Sequence, residues 1–501
     1  MALEAGTIIK HGWMFMVANV VNRAAGLLLL PLYTKVLSPA EFGVYALISV
    51  VGDIVAVMLM IGMINAFTVV YFEHADTRGR SRVVSTTMIG LWAASLLLLA
   101  VALPAGWGAS HLLFGGGEQA PIIAFAFAGI AFSAVFELAL AYYRVHKRSG
   151  TCLLISVGKA VGLIGLNLTF LLVMDLGVTG IFLANAITFV GLGIALTVAI
   201  LGANGVGFSF GILKRVSVLG LPFMPQTMLD MGNQFAMRYL VNLLMGVAAV
   251  GVLSFGLRLA TMLYMFLTAS FLQIWSVSRI EAQHDVGDNN NAGREQSEFV
   301  FYLFLVLLSA AALGMALTSP EVLWLIASSE YDTVLPCMPL LVLAYVLHGV
   351  RMHAEVGLVK TKKVGVLPAI SLGGLAVGTA IMGVTLGPLG LMGGAIGVLG
   401  RELVMLCATE TLCRRLSPKE PPLSVLRVTG ILAPAAIAYL AGLALFGFEV
   451  NPTFTAAKVG LTMLFAVVTL FGPSFGKTDR AMLFRMLGRF FRRPQAAERS
   501  A

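Results

Sequence analysis

The sequence predicts an all-α integral membrane protein of about fourteen transmembrane helices, and three observations predict it. Of its 501 residues, 59% are hydrophobic and 11% charged, against about one quarter charged in an ordinary soluble domain. Mean hydropathy is +0.93, more apolar surface than a water-facing globule can hide, so the bilayer must be most of this chain's solvent. The apolar residues also fall into stretches of about 20, the length that crosses the hydrocarbon layer as a helix. A soluble enzyme is excluded, and function is to be sought inside a membrane.

In chain order the stretches run at roughly 12–34 (α1), 43–72 (α2), 83–106 (α3), 121–143 (α4), 151–174 (α5), 178–201 (α6), 218–245 (α7), 248–278 (α8), 299–318 (α9), 335–357 (α10), 364–386 (α11), 389–413 (α12), 427–446 (α13) and 454–472 (α14). α1 is too long for a cleavable signal and carries Asn19, Asn22 and Arg23, so it is expected to stay in the mature protein. α2 is entered through Ser38-Pro39-Ala40-Glu41, a capping serine, a proline at the first helical position and a glutamate that closes a capping box. Gly202, Gly205, Gly207 and Gly211 make the connection before α7 read as a flexible joint. The longest connection, about 20 residues around Asp288, leaves no room for an appended soluble domain or a cytosolic motor. Gly472 to Thr478 is one residue short of a phosphate loop and follows a membrane helix, so it reads as a helix exit. Cys152, Cys337, Cys407 and Cys413 lack metal-ligand spacing, and no disulfide, metal or cofactor is implied.

Orientation follows from the 33 Lys and Arg. With a cytoplasmic N-terminus, one set of turns collects Arg78, Arg80, Arg82, Arg144, Lys147, Arg148, Lys214, Arg215 and others. The opposite turns hold only Lys35 and Lys458 among acids such as Glu41, Asp175, Glu321 and Glu449. The positive-inside rule then puts both termini in the cytoplasm. The basic tail, 473–501, reads as an anchor to anionic lipid.

The chain also contains itself twice. Leu37 to Ala46, between α1 and α2, matches Met245 to Ser254, between α7 and α8, with Gly43 and Gly251 lying 208 positions apart. Leu176-Gly177-Val178-Thr179-Gly180 matches Leu386-Gly387-Pro388-Leu389-Gly390, 210 positions on. Two six-helix units in one orientation imply a pseudo-two-fold axis along the membrane normal, an arrangement secondary transporters use. The expected organisation is an N-terminal lobe (1–201), a cytoplasmic linker (202–217), a C-terminal lobe (218–413), two extra helices (427–472) and the tail, with rocking of the lobes as the mechanism.

Charges inside the apolar stretches carry the functional argument, because each costs several kcal/mol unless paired, hydrated or bound to an ionic substrate. Arg23, Asp53, Asp230, Arg258 and Arg401 fall near mid-bilayer, beyond snorkelling reach. Asn19, Asn22, Arg23 and Gly26 form one polar stripe on α1; Gln226, Asp230 and Asn233 form another on α7, and Ser254, Arg258 and Thr261 a third on α8. Such stripes can be packing glue between helices. A guanidinium, however, binds phosphate or carboxylate oxygens through a planar fork, so an arginine kept there can hold an anionic substrate group. Arg23, Arg258, Asn19, Asn22, Asp230 and Arg238 are therefore the candidate substrate-binding residues. Asp53 and Asp230 are candidates for coupling H⁺ or Na⁺, and Arg351 with Glu355, one helical turn apart, for an internal ion pair.

Leu37-Ser38-Pro39-Ala40-Glu41-Phe42-Gly43-Val44-Tyr45-Ala46-Leu47, the Leu221-Pro222-Phe223-Met224-Pro225 opening of α7 and Ala248 to Ser254 together resemble the oligosaccharide flippases of bacterial polysaccharide biosynthesis. These belong to the multidrug/oligosaccharidyl-lipid/polysaccharide exporter superfamily, and the resemblance spans about residues 7 to 472. Family members often carry Asp-Arg late in α7; this chain has Met237-Arg238, so no role of that aspartate transfers. The resemblance implies a non-enzymatic flippase of the bacterial inner membrane with no catalytic residues. It would move an undecaprenyl-pyrophosphate oligosaccharide, the repeat unit of a lipopolysaccharide or exopolysaccharide, and meet membrane lipid and the polysaccharide polymerase or export machinery but no nucleic acid. In the related lipid II flippases, arginines on the first and eighth helices line an anion-binding cavity, and Arg23 and Arg258 lie on those helices here. The alternative is a cation-coupled exporter of drugs or metabolites. A glycan polymerase or ligase would need a large external loop, and none exceeds about 16 residues.

Overall fold

The computed structural model describes residues 26–484 apart from 27, 61, 273, 274, 276–290, 362, 417–422, 474 and 477. All regular structure among the described residues is helical, and twelve of the described helices are long and apolar enough to cross a membrane. They correspond to α2–α6 and α8–α14. α7, Met224–Met245, has 22 residues but falls short of those twelve because of its polar stripe. The body of α1 lies outside the described residues, which begin its regular helix at Leu30–Val36.

Helix ends follow local chemistry. The expected capping box is present: Ser38 N donates to Glu41 Oε2 at 2.9 Å, and Glu41 N donates to Ser38 Oγ at 3.3 Å. Asp76 caps α3 (Thr77–Phe114) by accepting from Gly79 N at 2.7 Å, and that bond holds its carboxyl below the usual carboxylate range. α2 is not the single run that its apolarity suggests. It breaks into Pro39–Met60 and Met63–Glu73 at Gly62, whose φ of +61° favours glycine. α5 closes in a π-helical turn, Thr169–Val173, and α8 passes through one, Tyr264–Thr268, before running on to Leu272.

By packing, the chain divides into two compact units. Unit 1 is Met1–Ser254 with Ile326–Tyr331, and unit 2 is Phe255–Leu325 with Asp332–Ala501. The boundary therefore falls inside α8 (Val247–Leu263).

In unit 1, α4 (Ala120–Val145) packs against both α3 and α6 (Gly177–Asn204) around Met88, Leu91, Phe136 and Ile200. Trp92 donates to Thr197 Oγ1 at 2.9 Å, and Ser95 to the Ala131 carbonyl at 2.8 Å, so the polar groups in that interface are satisfied. The connection read as a flexible joint is pinned. Ser85 Oγ holds the Gly207 carbonyl at 2.6 Å and Thr86 Oγ1 accepts from Ser209 N at 3.1 Å. Phe210–Gly220 then forms a helix against the second half of α2 and against α3. Arg215 clasps Glu73 through Nε at 2.8 Å and Nη2 at 2.9 Å. Side chains one turn apart in that short amphipathic segment outweigh its glycines.

The repeat-equivalent turns meet one another within this unit. A Cβ on Gly43 would lie 1.9 Å from the Val247 carbonyl oxygen, and one on Gly251 would lie 1.9 Å from that of Pro39. Pro39 and Val247 are themselves 208 apart, so each copy of the turn presents the same glycine to the same carbonyl of the other, the reciprocity of a two-fold contact. The turn is also braced from a distance: Ser328 N donates to the Thr34 carbonyl at 3.2 Å, and fully buried Tyr331 donates to the Leu37 carbonyl at 3.1 Å.

In unit 2, α11 (Leu367–Leu389) and α12 (Leu391–Leu416) approach through Gly374, Gly378, Gly393 and Gly397, small residues that let membrane helices come close. α13 (Val425–Phe446) and α14 (Pro452–Phe471) pack on α9 (Asn291–Leu317) around Leu313, Leu317 and Phe465. Beyond α14, Arg480 donates to the carbonyls of Phe471 at 2.6 Å and Gly472 at 2.9 Å, so this segment serves as a helix exit.

Lys458 is fully buried on α14 and donates to Glu321 Oε1 at 2.7 Å and the Glu449 carbonyl at 3.3 Å. One of the two bases expected on the acidic face is thus consumed internally. Lys458→Met should lower stability by about 3–5 kcal/mol, because it strands the Glu321 carboxylate. Adding Glu321→Gln should recover most of the loss. Thermal denaturation in detergent checks both; equal stability of Lys458→Met and the wild type would remove the ion pair as the anchor of α14.

Candidate functional site

Among the described residues, polar side chains inside the helices gather in two places, one in each unit. In unit 1 the polar stripe of α7 continues through Gln234, Arg238 and Asn242. Arg238 is half-buried. Its Nε donates to Ser254 Oγ on α8 at 3.2 Å, and its Nη1 to the Gln234 carbonyl and Oε1, each at 3.3 Å. These acceptors orient the fork without themselves neutralising its charge. Asn242 ties the end of α7 to the Leu113 carbonyl at 2.6 Å. Asn233 is buried at 2% exposure, whereas Asp230 on α7 and Asp53 on α2 are exposed. The structure thus brings Arg238 together with Ser254. Arg258, half-buried on α8, belongs to unit 2. Arg23, Asn19 and Asn22 lie outside the described residues.

In unit 2, α10 (Met338–Lys360) lines up His348, Arg351 and Glu355 on one face at i, i+3 and i+7. Arg351 pairs with Glu355 through Nη1 and Oε1. It also reaches Glu402 on α12, Nε to Oε2 at 3.3 Å. Arg401 pairs with the other oxygen of Glu402, and His348 Nδ1 stands 3.2 Å from Glu402 Oε2. Glu402 is only 3% exposed at its side chain. Removing one partner of such a cluster strands a buried charge, a loss of about 3–5 kcal/mol. Tyr264, in the π-turn of α8, meets the His348 ring edge-on at 5.0 Å, and Tyr345 accepts from Thr261 Oγ1 at 2.6 Å.

The pairing of Arg351 and Glu355 follows from their one-turn spacing, but their meeting with Glu402 does not. His348 carries no sequence signal for this role, since a lone histidine in an apolar helix is more often a packed core residue. Lys159 on α5 (Ser149–Leu168) is held over the Phe136 ring at 5.2 Å, a cation–π contact. No group of three or more metal-binding side chains occurs among the described residues. The four cysteines are free thiols, three of them buried.

The fold is that of known transporters. The chain superposes on a lipid II flippase, MurJ, in its inward closed conformation, with a TM-score of 0.73 at 13% identity, over 95% of this chain and 99% of that one. It superposes on the inward-facing conformation of a multidrug resistance MATE family transporter of the MOP superfamily with a TM-score of 0.66 at 15% identity, over 81% of this chain and 95% of that one. A third match is a MOP superfamily transporter from Pyrococcus furiosus, with a TM-score of 0.54 at 15% identity, over 83% of this chain and 96% of that one. No family model and no curated protein matches the sequence. The protein is a multi-pass membrane protein with the fold shared by MATE and MurJ transporters.

Proposed function

We propose that the protein is a flippase that carries a lipid-pyrophosphate-linked oligosaccharide across the bacterial inner membrane by alternating access of two lobes. One observation carries this reading: guanidinium groups lie inside the membrane helices α7 and α8, the fork of Arg238 held by Ser254 and Gln234. A diphosphate linker is the substrate group that such forks hold best, and the candidate contacts are Arg23, Arg258, Asn19, Asn22, Asp230 and Arg238. The fuller overlay on the lipid II flippase, 95% of this chain against 81% for the multidrug transporter, supports a lipid-linked substrate. The lipid tail stays in the bilayer while the head group crosses. Both termini face the cytoplasm, where the basic turns and tail meet anionic lipid. The alternative on the same fold is a cation-coupled exporter of drugs or metabolites, with Asp53 and Asp230 as ion sites.

Deletion of the gene in its host separates the two. Loss of a surface polysaccharide, with its lipid-linked repeat unit accumulating on the inner leaflet, is the expected result. Intact polysaccharide together with heightened sensitivity to cationic drugs would overturn the flippase reading in favour of the exporter.

A further inference from the structure

The Nδ1 atom of His348 stands between two partners that ask opposite things of it. Arg351 Nη2 lies 3.0 Å away and can only donate; Glu402 Oε2 lies 3.2 Å away and, as a carboxylate, can only accept. An imidazole nitrogen carries either a lone pair or a hydrogen. With a lone pair, His348 accepts from Arg351 and leaves Glu402 to the arginines. With a hydrogen, it donates to Glu402 and turns that nitrogen against the Arg351 guanidinium, which still has Glu355 as a partner. In the neutral Nε2–H tautomer Nδ1 carries the lone pair that meets Arg351; proton uptake puts a hydrogen on both ring nitrogens and so exchanges one hydrogen-bond arrangement joining α10 and α12 for the other.

The charge balance says which cation the cluster can take. Arg351 pairs with Glu355 and with Glu402, and Arg401 pairs with Glu402. A sodium ion needs carboxylate oxygens whose charge is not already answered, and both carboxylates here face guanidinium groups. The imidazole can take a proton without breaking those ion pairs, and its side chain is 20% exposed against 3% for Glu402, so it is the member more open to proton exchange. Among the described residues, the elements packed around it present mainly apolar and neutral groups. α9 presents Leu308 and the π-turn of α8 presents Thr268 beside Gly349, while Tyr264 and Tyr345 present their rings. α11 has no ionisable residue, and Arg258, one turn before Thr261, is the one formal charge of α8 within Val247–Leu263.

We infer that His348, with Glu402 as its acceptor, is a proton-binding site of unit 2, and that proton uptake exchanges the Arg351–His348 contact for a His348–Glu402 bond between α10 and α12. This rests on the transporter reading only in giving the proton a use, the driving or timing of the transport cycle. Asp53 and Asp230 are not needed for it.

Histidine NMR on the full-length protein tests it without any substrate. The seven histidines are labelled at Cε1 and Nδ1, the protein is held in nanodiscs of phosphatidylethanolamine and phosphatidylglycerol, and His348→Gln identifies the resonance. Spectra are recorded from about pH 5 to 9, and that resonance should pass between its two protonation states. Glu402→Gln should weaken proton binding about tenfold or more, and Arg351→Gln should strengthen it. Sodium chloride exchanged for potassium chloride should leave it unmoved. A His348 resonance fixed in one protonation state across that range would overturn the site, and a sodium-specific shift would replace the proton with sodium. If either variant fails to fold, the wild-type titration and its Nδ1 shift decide alone. A fixed resonance with loss of polysaccharide on gene deletion would refute the proton site and leave the flippase standing.

Discussion

Arg258→Ala is expected to abolish surface polysaccharide while the protein remains in the membrane at wild-type level, and Arg258→Lys to restore it only partly. The group removed is a half-buried guanidinium on α8, and a charge kept inside a membrane helix costs several kcal/mol unless it is paired, hydrated or bound to an ionic substrate. Charge-assisted contact to a diphosphate contributes about 1.5–3 kcal/mol, or roughly ten- to hundredfold in affinity. An ammonium keeps the charge but loses the two-pronged geometry. Arg23→Ala should behave the same way. Arg215→Ala provides the contrast: its partner is Glu73, its side chain is 59% exposed, and such surface pairs contribute about 1 kcal/mol or less. Export should survive that change. Quantified surface polysaccharide alongside membrane protein levels checks all four variants. Normal export from both Arg23→Ala and Arg258→Ala would return these arginines to helix packing.

What the sequence makes legible is what depends on neighbours along the chain. Apolar runs locate the helices because hydrocarbon forces every backbone group into local hydrogen bonds, and the described helices from α2 onward fall on the expected stretches. The capping box at Ser38 is local in the same sense. The break at Gly62 is hidden because the apolar run continues through it, and only backbone geometry shows the left-handed residue. The helix Phe210–Gly220 is hidden because its glycine-rich approach dominates the composition, while its hold on Glu73 spans 142 positions. Tyr331 reaches Leu37 across 294 positions, a pairing that no periodicity encodes.

The candidate sites divide along the same line. Arg351 with Glu355 is a one-turn pair on a single helix, so spacing alone proposes it. Glu402 sits 51 positions away on another helix. Its place at the hub depends on how α12 is rotated toward α10, and a strongly apolar helix with small residues on several faces does not announce its rotation. His348 is recognised only once that rotation is known.

Gly43→Ala is expected to be among the most destabilising single methyl additions at the described glycines. Its Cβ would lie 1.9 Å from the Val247 carbonyl oxygen and 3.1 Å from Gly251 N, and backbone, unlike the end of a long side chain, cannot swing aside. Ordinary carbon contacts begin near 3.5 Å, so the start of α2 would have to part from the start of α8 by roughly 1.5 Å. Overpacking of this kind costs about 3 kcal/mol, and the helices most affected carry Asp53, Ser254 and Arg258. Gly251→Ala meets the Pro39 carbonyl at the same 1.9 Å, so the repeat makes a second prediction from the first: the two variants should lose similar stability. The double variant should lose less than their sum, because one separation of the crossing accommodates both methyl groups. Gly158→Ala, on α5 with nothing within 4 Å of the added carbon, should be as stable as the wild type or up to about 1 kcal/mol more so. Thermal unfolding of the purified variants in one detergent gives the comparison directly. Were Gly43→Ala as stable as Gly158→Ala, the close reciprocal crossing of the two repeats would be wrong, and with it the strongest structural sign that the halves of this chain are copies of one another.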